Sequence, residues 1–160
     1  MGEFLHSPPN MQPVAIYNDG GGLVTAYEEA AFRYAREGRE VQIRGQCRSA
    51  CILALSVPKV CVVPGAVVKA HNAYEQFGGT RRPDITQAML SKLPSKIQMR
   101  LNGKVRDAYW AGSILDYNEL MALGIRRCGS SAPVAKKPKA PAQVTSCTWQ
   151  LWLIKCFLKM

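Results

Sequence analysis

Apolar residues fall along the chain with two different periods. Val14, Ala15, Ile16 and Tyr17 form a short apolar run, which predicts a buried strand. Asn18-Asp19-Gly20-Gly21-Gly22 follows. Three glycines in a row permit backbone angles and close approaches that a side chain would block, so this segment is a sharp turn. Leu23, Tyr27, Ala30, Ala31 and Tyr34 then recur at helical spacing, predicting a helix over 23–37 that Gly38 stops. Val41-Gln42-Ile43-Arg44 alternates as a strand does, and Gly45 is expected to end it. A second helix is predicted to start near Ser49 and to carry Ile52, Leu53 and Leu55 before Pro58 blocks it. Residues 60–63 and 66–70 are short apolar strands separated by Pro64-Gly65. From 14 to 70 the order is strand, helix, strand, helix, strand, strand. This alternation predicts an α/β domain with a mainly parallel sheet covered by helices.

A polar loop from Glu75 to Pro83 follows, then a helical stretch with Asp84 as its expected N-cap and Pro94 as a break. Asp116-Tyr117-Asn118-Glu119 pairs an acidic cap with a glutamate three residues on. Leu120, Met121 and Leu123 fill the short helix behind it, Gly124 ends it, and Ile125 opens a last extended segment. The expected organisation is an N-terminal extension over 1–13, the α/β domain over 14–129, a Pro/Ala/Lys-rich linker over 130–146 and an apolar-basic segment over 147–160. As a helix that last segment puts Leu151, Lys155 and Lys159 on one narrow stripe. It could lie on a membrane surface, dock on a partner protein, or pack back on its own domain. No internal repeat is present.

Composition changes this picture only at the edges. An apolar fraction of 48% is enough for a real core. The formal charge is +10, but 132–160 holds five lysines and no acidic residue, so the body is only mildly basic. No element that reads nucleic acid accompanies that charge, and nucleic-acid binding is not expected. The six cysteines include no CxxC pair and only two histidines exist, so no metal is expected. Reduced, buried thiols are the default reading, with a disulfide open in an oxidising compartment. Residues 1–9 lack the basic-then-apolar pattern of a signal peptide. No apolar run approaches the ~20 residues of a spanning helix. The expected location is the cytoplasm.

Three pieces carry candidate chemistry: the glycine turn, Ser49 at a strand-to-helix junction, and His71 at the end of a strand. A serine hydroxyl needs a base within hydrogen-bond reach and backbone amides aimed at the developing oxyanion. The first turn of a helix supplies free amides, so Ala50 is a candidate donor, with Gly21 or Gly22 as the second. Taken singly, each piece has a plainer reading. Ser49 alone is most often an N-cap, His71 a hydrogen-bonded histidine, and a triple glycine a phosphate cradle. No P-loop lysine follows, so nucleotide binding is set aside.

Order and spacing bring in a resemblance. Asn18-Asp19-Gly20-Gly21-Gly22-Leu23-Val24-Thr25-Ala26 resembles the Asn-Ser-Pro-Gly-Gly-x-Val turn of the Clp protease proteolytic subunit. Gly45-Gln46-Cys47-Arg48-Ser49-Ala50-Cys51 is similar to that family's Gly-Gln-x-x-Ser turn. It is closer still to the Gly-x-Cys-x-Ser-Ala-Cys variant of Clp-like proteins in bacteria and phages. His71 follows Ser49 by 22 residues, in the strand that carries the family's histidine. The resemblance spans roughly 14–125, with a shortened helical handle. Gly20 stands in place of the turn's proline, and the family's preceding strand and helix have no recognisable counterpart.

The resemblance implies the fold shared by Clp peptidases and crotonases, and a serine peptidase without cofactor. Ser49 would attack a peptide carbonyl, His71 would shuttle the proton, and the amides of Ala50 and of Gly21 or Gly22 would hold the oxyanion. Asp107, in about the right region, would be the third member of the triad. It further implies a peptide or protein substrate and a homo-oligomer, while no segment for meeting an ATPase partner is identified. Two alternatives stay open. One is a non-catalytic scaffold or binding module acting through 147–160; the other is a crotonase relative that acts on acyl-CoA thioesters.

Overall fold

The computed structural model describes residues 2–6, 11–75, 79–107 and 111–130. Apart from Ser130, the linker expected over 130–146 and the apolar-basic segment expected over 147–160 lie outside the described residues. Residues up to Ser130 form one compact unit.

The architecture is mixed α/β with a mostly parallel sheet. Its elements are β1 (Val14–Asp19), α1 (Val24–Glu37), β2 (Val41–Arg48), a 3-10 helix (Ser49–Ser56), β3 (Val60–Val62), β4 (Val67–Lys69), α2 (Pro83–Ser91), α3 (Ser95–Leu101), β5 (Ile114–Asp116), α4 (Tyr117–Ala122) and β6 (Arg126–Arg127). The strand β2 is the hub. Parallel β1 follows it along its length, β3 pairs with its first half and β4 with its second. The two partners on one side split apart, which curls the sheet. Parallel β6 extends β3, and antiparallel β5 extends β4.

Gly45 does not end β2 as expected; the strand runs on to Arg48. The reason lies in β1, whose register against β2 shifts between Ile16 and Asn18. A Cβ on Gly45 would lie 2.1 Å from the carbonyl oxygen of Tyr17. The glycine lets the two backbones touch at the bulge, and both strands continue past it.

Beyond β2 the chain enters a 3-10 helix in which Ala50 to Leu55 are all buried. It lacks a polar face because it sits in the middle of the protein, with α1 packed on it. The N-cap of α2 is Arg82, with Pro83 in the first turn, so Asp84 falls inside the helix and not at its cap. Asp116 caps α4 as expected, accepting from the amide of Glu119 at 2.8 Å. The residues expected to form an N-terminal extension reach the core. Phe4 is fully buried, its ring 5.7 Å from Tyr27 and 5.2 Å from Tyr34.

Four cysteines depart from the reduced default. Cys47 pairs with Cys51, and Cys61 with Cys128. The first bond is local, joining the last core-facing residue of β2 to the start of the 3-10 helix. The second ties β3 to the chain just past β6.

Candidate active site

The end of β2 delivers Ser49 to a cleft of about 680 Å³, which Gly20–Gly22, His71 and Tyr74 also line. The chain must reverse here from an extended strand into a helix. Ser49 absorbs the turn with φ of +56°, and among the described residues it is the one non-glycine residue with positive φ. Such a value is uncommon for a residue with a side chain and stores strain. A sharp strand-to-helix turn of this kind projects its serine out of the sheet, as a nucleophile requires. Ala50, in the first helical turn, has an amide without an intrahelical acceptor.

The glycine turn is laid directly against this elbow. Gly21 has φ of +82°, and a Cβ there would lie 2.6 Å from both the Arg48 carbonyl oxygen and the Ser49 Cβ. It would also lie 2.9 Å from the amide nitrogen of Ala50. Only a glycine fits. The turn is fastened by Asp19, fully buried at the end of β1. Its carboxylate accepts from the amides of Phe4 and Gly21, both at 2.8 Å, and from the Tyr27 hydroxyl at 2.6 Å. Burial, then the hydrogen bond to Asp19, pushes the Tyr27 phenol far above its ordinary pKa, so it stays a donor. The Gly21 amide is thus engaged by Asp19. Gly22 is the one whose amide has no hydrogen-bond acceptor among the described residues.

His71 follows β4, the strand that pairs with the end of β2, and this pairing brings it to the same end of the sheet as Ser49. Its Nδ1 lies 2.6 Å from the carbonyl oxygen of Asn72. Asp107, expected as the third member of the triad, meets Asn72 and Arg81. It accepts from the Asn72 side-chain amide at 2.7 Å and pairs with Arg81. The Asn72 hydrogen bond, helped by Tyr74 and Arg81, outweighs partial desolvation and holds the Asp107 carboxyl below its ordinary pKa.

Compared with known proteins, the chain matches no family model, no curated protein and no solved structure.

The rest of the cleft is mainly apolar, with Leu23, Val24, Ile85, Ala88 and Met89 on its walls beside Thr25. Glu28 at its side is paired with Lys92 at 3.0 Å. No group of three or more His, Cys, Asp or Glu side chains suited to a metal occurs among the described residues. The same holds for a helix long and apolar enough to cross a membrane. Sequence reading missed Asp19 and Asn72. An aspartate beside a glycine turn looks like turn chemistry, and only its burial marks it as an anchor. Asn72 meets the imidazole through its backbone carbonyl, a contact that leaves no trace in residue type.

Proposed function

We propose that the protein is a Clp-like serine hydrolase of peptide bonds, with the fold of the Clp peptidase and crotonase superfamily. The observation that carries this reading is the strained Ser49 elbow, with Gly21 packed on it and His71 in the same cleft. Ser49 Oγ attacks the carbonyl carbon of a bound peptide. His71 takes the hydroxyl proton and later delivers it to the leaving amine. The amides of Ala50 and Gly22 receive the oxyanion. The apolar walls suit an uncharged side chain on the acyl side of the scissile bond. The arrangement also favours hydrolysis over the acyl-CoA alternative, which needs paired amides but no serine–histidine pair.

Self-association and the role of 147–160 rest on the resemblance and the sequence alone. The two disulfides favour an oxidising compartment over the cytoplasm expected from the sequence.

The test is labelling of the purified protein with a fluorophosphonate probe. Labelling should vanish with Ser49→Ala and fall steeply with His71→Ala. A folded wild type that takes no label would count against hydrolysis and return attention to a binding role.

A further inference from the structure

Ser49 holds a backbone conformation that side chains rarely adopt, and something must keep it there. One restraint is the Gly21 backbone pressed against it. The other is covalent. The Cys47–Cys51 disulfide joins the residue two before Ser49 to the residue two after it. The candidate nucleophile and Ala50, the candidate oxyanion donor, therefore lie inside one small ring. A ring this short removes little freedom from the unfolded chain compared with a long loop. Its main effect is on local geometry: with Cys47 fixed in β2 and Cys51 in the 3-10 helix, the three residues between them must make the reversal. Both cysteines are fully buried, so a soluble thiol has no path to the sulfurs in the folded protein.

We propose that the Cys47–Cys51 disulfide is a positioning device for Ser49, and that the site becomes competent only after these two thiols are oxidised. The proposal rests on the reading of Ser49 as the nucleophile. Oxidation proceeds by exchange with a disulfide donor, a small-molecule or protein disulfide. One cysteine thiolate attacks the donor and releases its first thiol. The second thiolate then attacks the mixed disulfide and releases the other. Two cysteine thiols become one S–S bond, and the donor disulfide is reduced to two thiols. Burial places this exchange before the turn closes, during folding. Once formed, the bond is a permanent clamp and not a reversible switch.

The test crosses removal of the clamp with removal of the strain. Glycine adopts the Ser49 angles freely, so Ser49→Gly should raise the Tm of the disulfide-intact protein by a few degrees. In a Cys47→Ala/Cys51→Ala background the elbow can relax, and the same substitution should raise Tm by less than half as much. Fluorophosphonate labelling at Ser49 should slow at least tenfold in the cysteine pair variant, and should be unchanged per folded molecule in Cys61→Ala/Cys128→Ala. Equal Tm gains in both backgrounds, with undiminished labelling, would overturn the clamp. A wild type that fails to label sinks the nucleophile reading instead, and the Tm comparison still judges the clamp. If the alanine pair does not fold, Cys47→Val/Cys51→Ala refills the volume and serves the same comparison.

Discussion

The carbonyl oxygen of Asn72 lies 2.6 Å from Nδ1 of His71. A carbonyl can only accept, so this contact places the proton on Nδ1 and the lone pair of the neutral ring on Nε2, the tautomer a general base needs. In the proposed mechanism the Asn72 carbonyl orients the ring, and Asp107 meets this loop through the Asn72 side chain. Asp107→Ala is accordingly expected to slow fluorophosphonate labelling only about tenfold, while His71→Ala slows it by about 10²–10⁴-fold. A loss with Asp107→Ala as deep as that of His71→Ala would place the carboxylate on the imidazole itself.

The Asp107 link should depend on pH in one direction. Its folded-state pKa is depressed, so its stabilising contribution is complete above the ordinary carboxylate value and is lost as pH falls through the lowered one. The side-chain amide signals of Asn72, followed by NMR, should hold their positions through mildly acidic pH and shift only below the ordinary carboxylate range. A shift centred near neutrality would show that some other group orders this loop.

Gly21→Ala should be the most damaging small substitution at the site. The left-handed backbone alone costs about 1–2 kcal/mol for a residue with a Cβ. The collision with the Arg48 carbonyl adds to this, because backbone cannot swing aside as a side-chain tip can. Urea unfolding should show a loss above that figure, together with loss of labelling. An unchanged midpoint would mean that the glycine turn does not pack against the serine elbow.

The mostly parallel sheet and the helix over α1 were legible because Tyr27, Ala30, Ala31 and Tyr34 keep strict helical spacing and all four are buried. Asp116 was legible as a cap because capping is a local, side-chain-specific act. Gly45 misled, since a glycine that ends a strand and one that permits a bulge look alike until the partner strand is in place. The three-residue β5 left no pattern, with Leu115 its one buried residue. Ser49 and His71 were singled out by motif spacing, and the structure places both on one cleft. The strain at Ser49, the employment of the Gly21 amide and the carbonyl on His71 all arise from how distant segments meet.

Tyr27 tests the anchor beneath the glycine turn. Tyr27→Phe removes one of the three donors to the buried Asp19 and should destabilise the fold by about 1–3 kcal/mol in chemical denaturation. In the wild type the raised phenol pKa has its own signature. Stability from Tyr27 is complete below the ordinary tyrosine value. It declines as pH rises beyond that value, because the unfolded chain ionises first. Tyr27→Phe should flatten that alkaline decline; an unaltered slope would assign it to other groups.

The Cys61–Cys128 bond should be the main covalent contributor to global stability. It closes a separation of 67 residues, for which chain entropy gives about 4 kcal/mol. Cys61→Ala/Cys128→Ala is expected to lose about 2–4 kcal/mol in urea unfolding, and a loss below about 1 kcal/mol would contradict the entropic account.

That same bond decides how the domain would respond to being pulled. Past Cys128 the polypeptide continues toward the lysine-rich sequence, and β6, just before it, has only two residues paired to β3. Without the cross-link, tension on that end would peel β6 away first and then work inward through α4. With it, the load passes through sulfur directly into β3, beside the hub strand. A tether at this end can therefore drag the whole domain as one body and leave the serine elbow undisturbed.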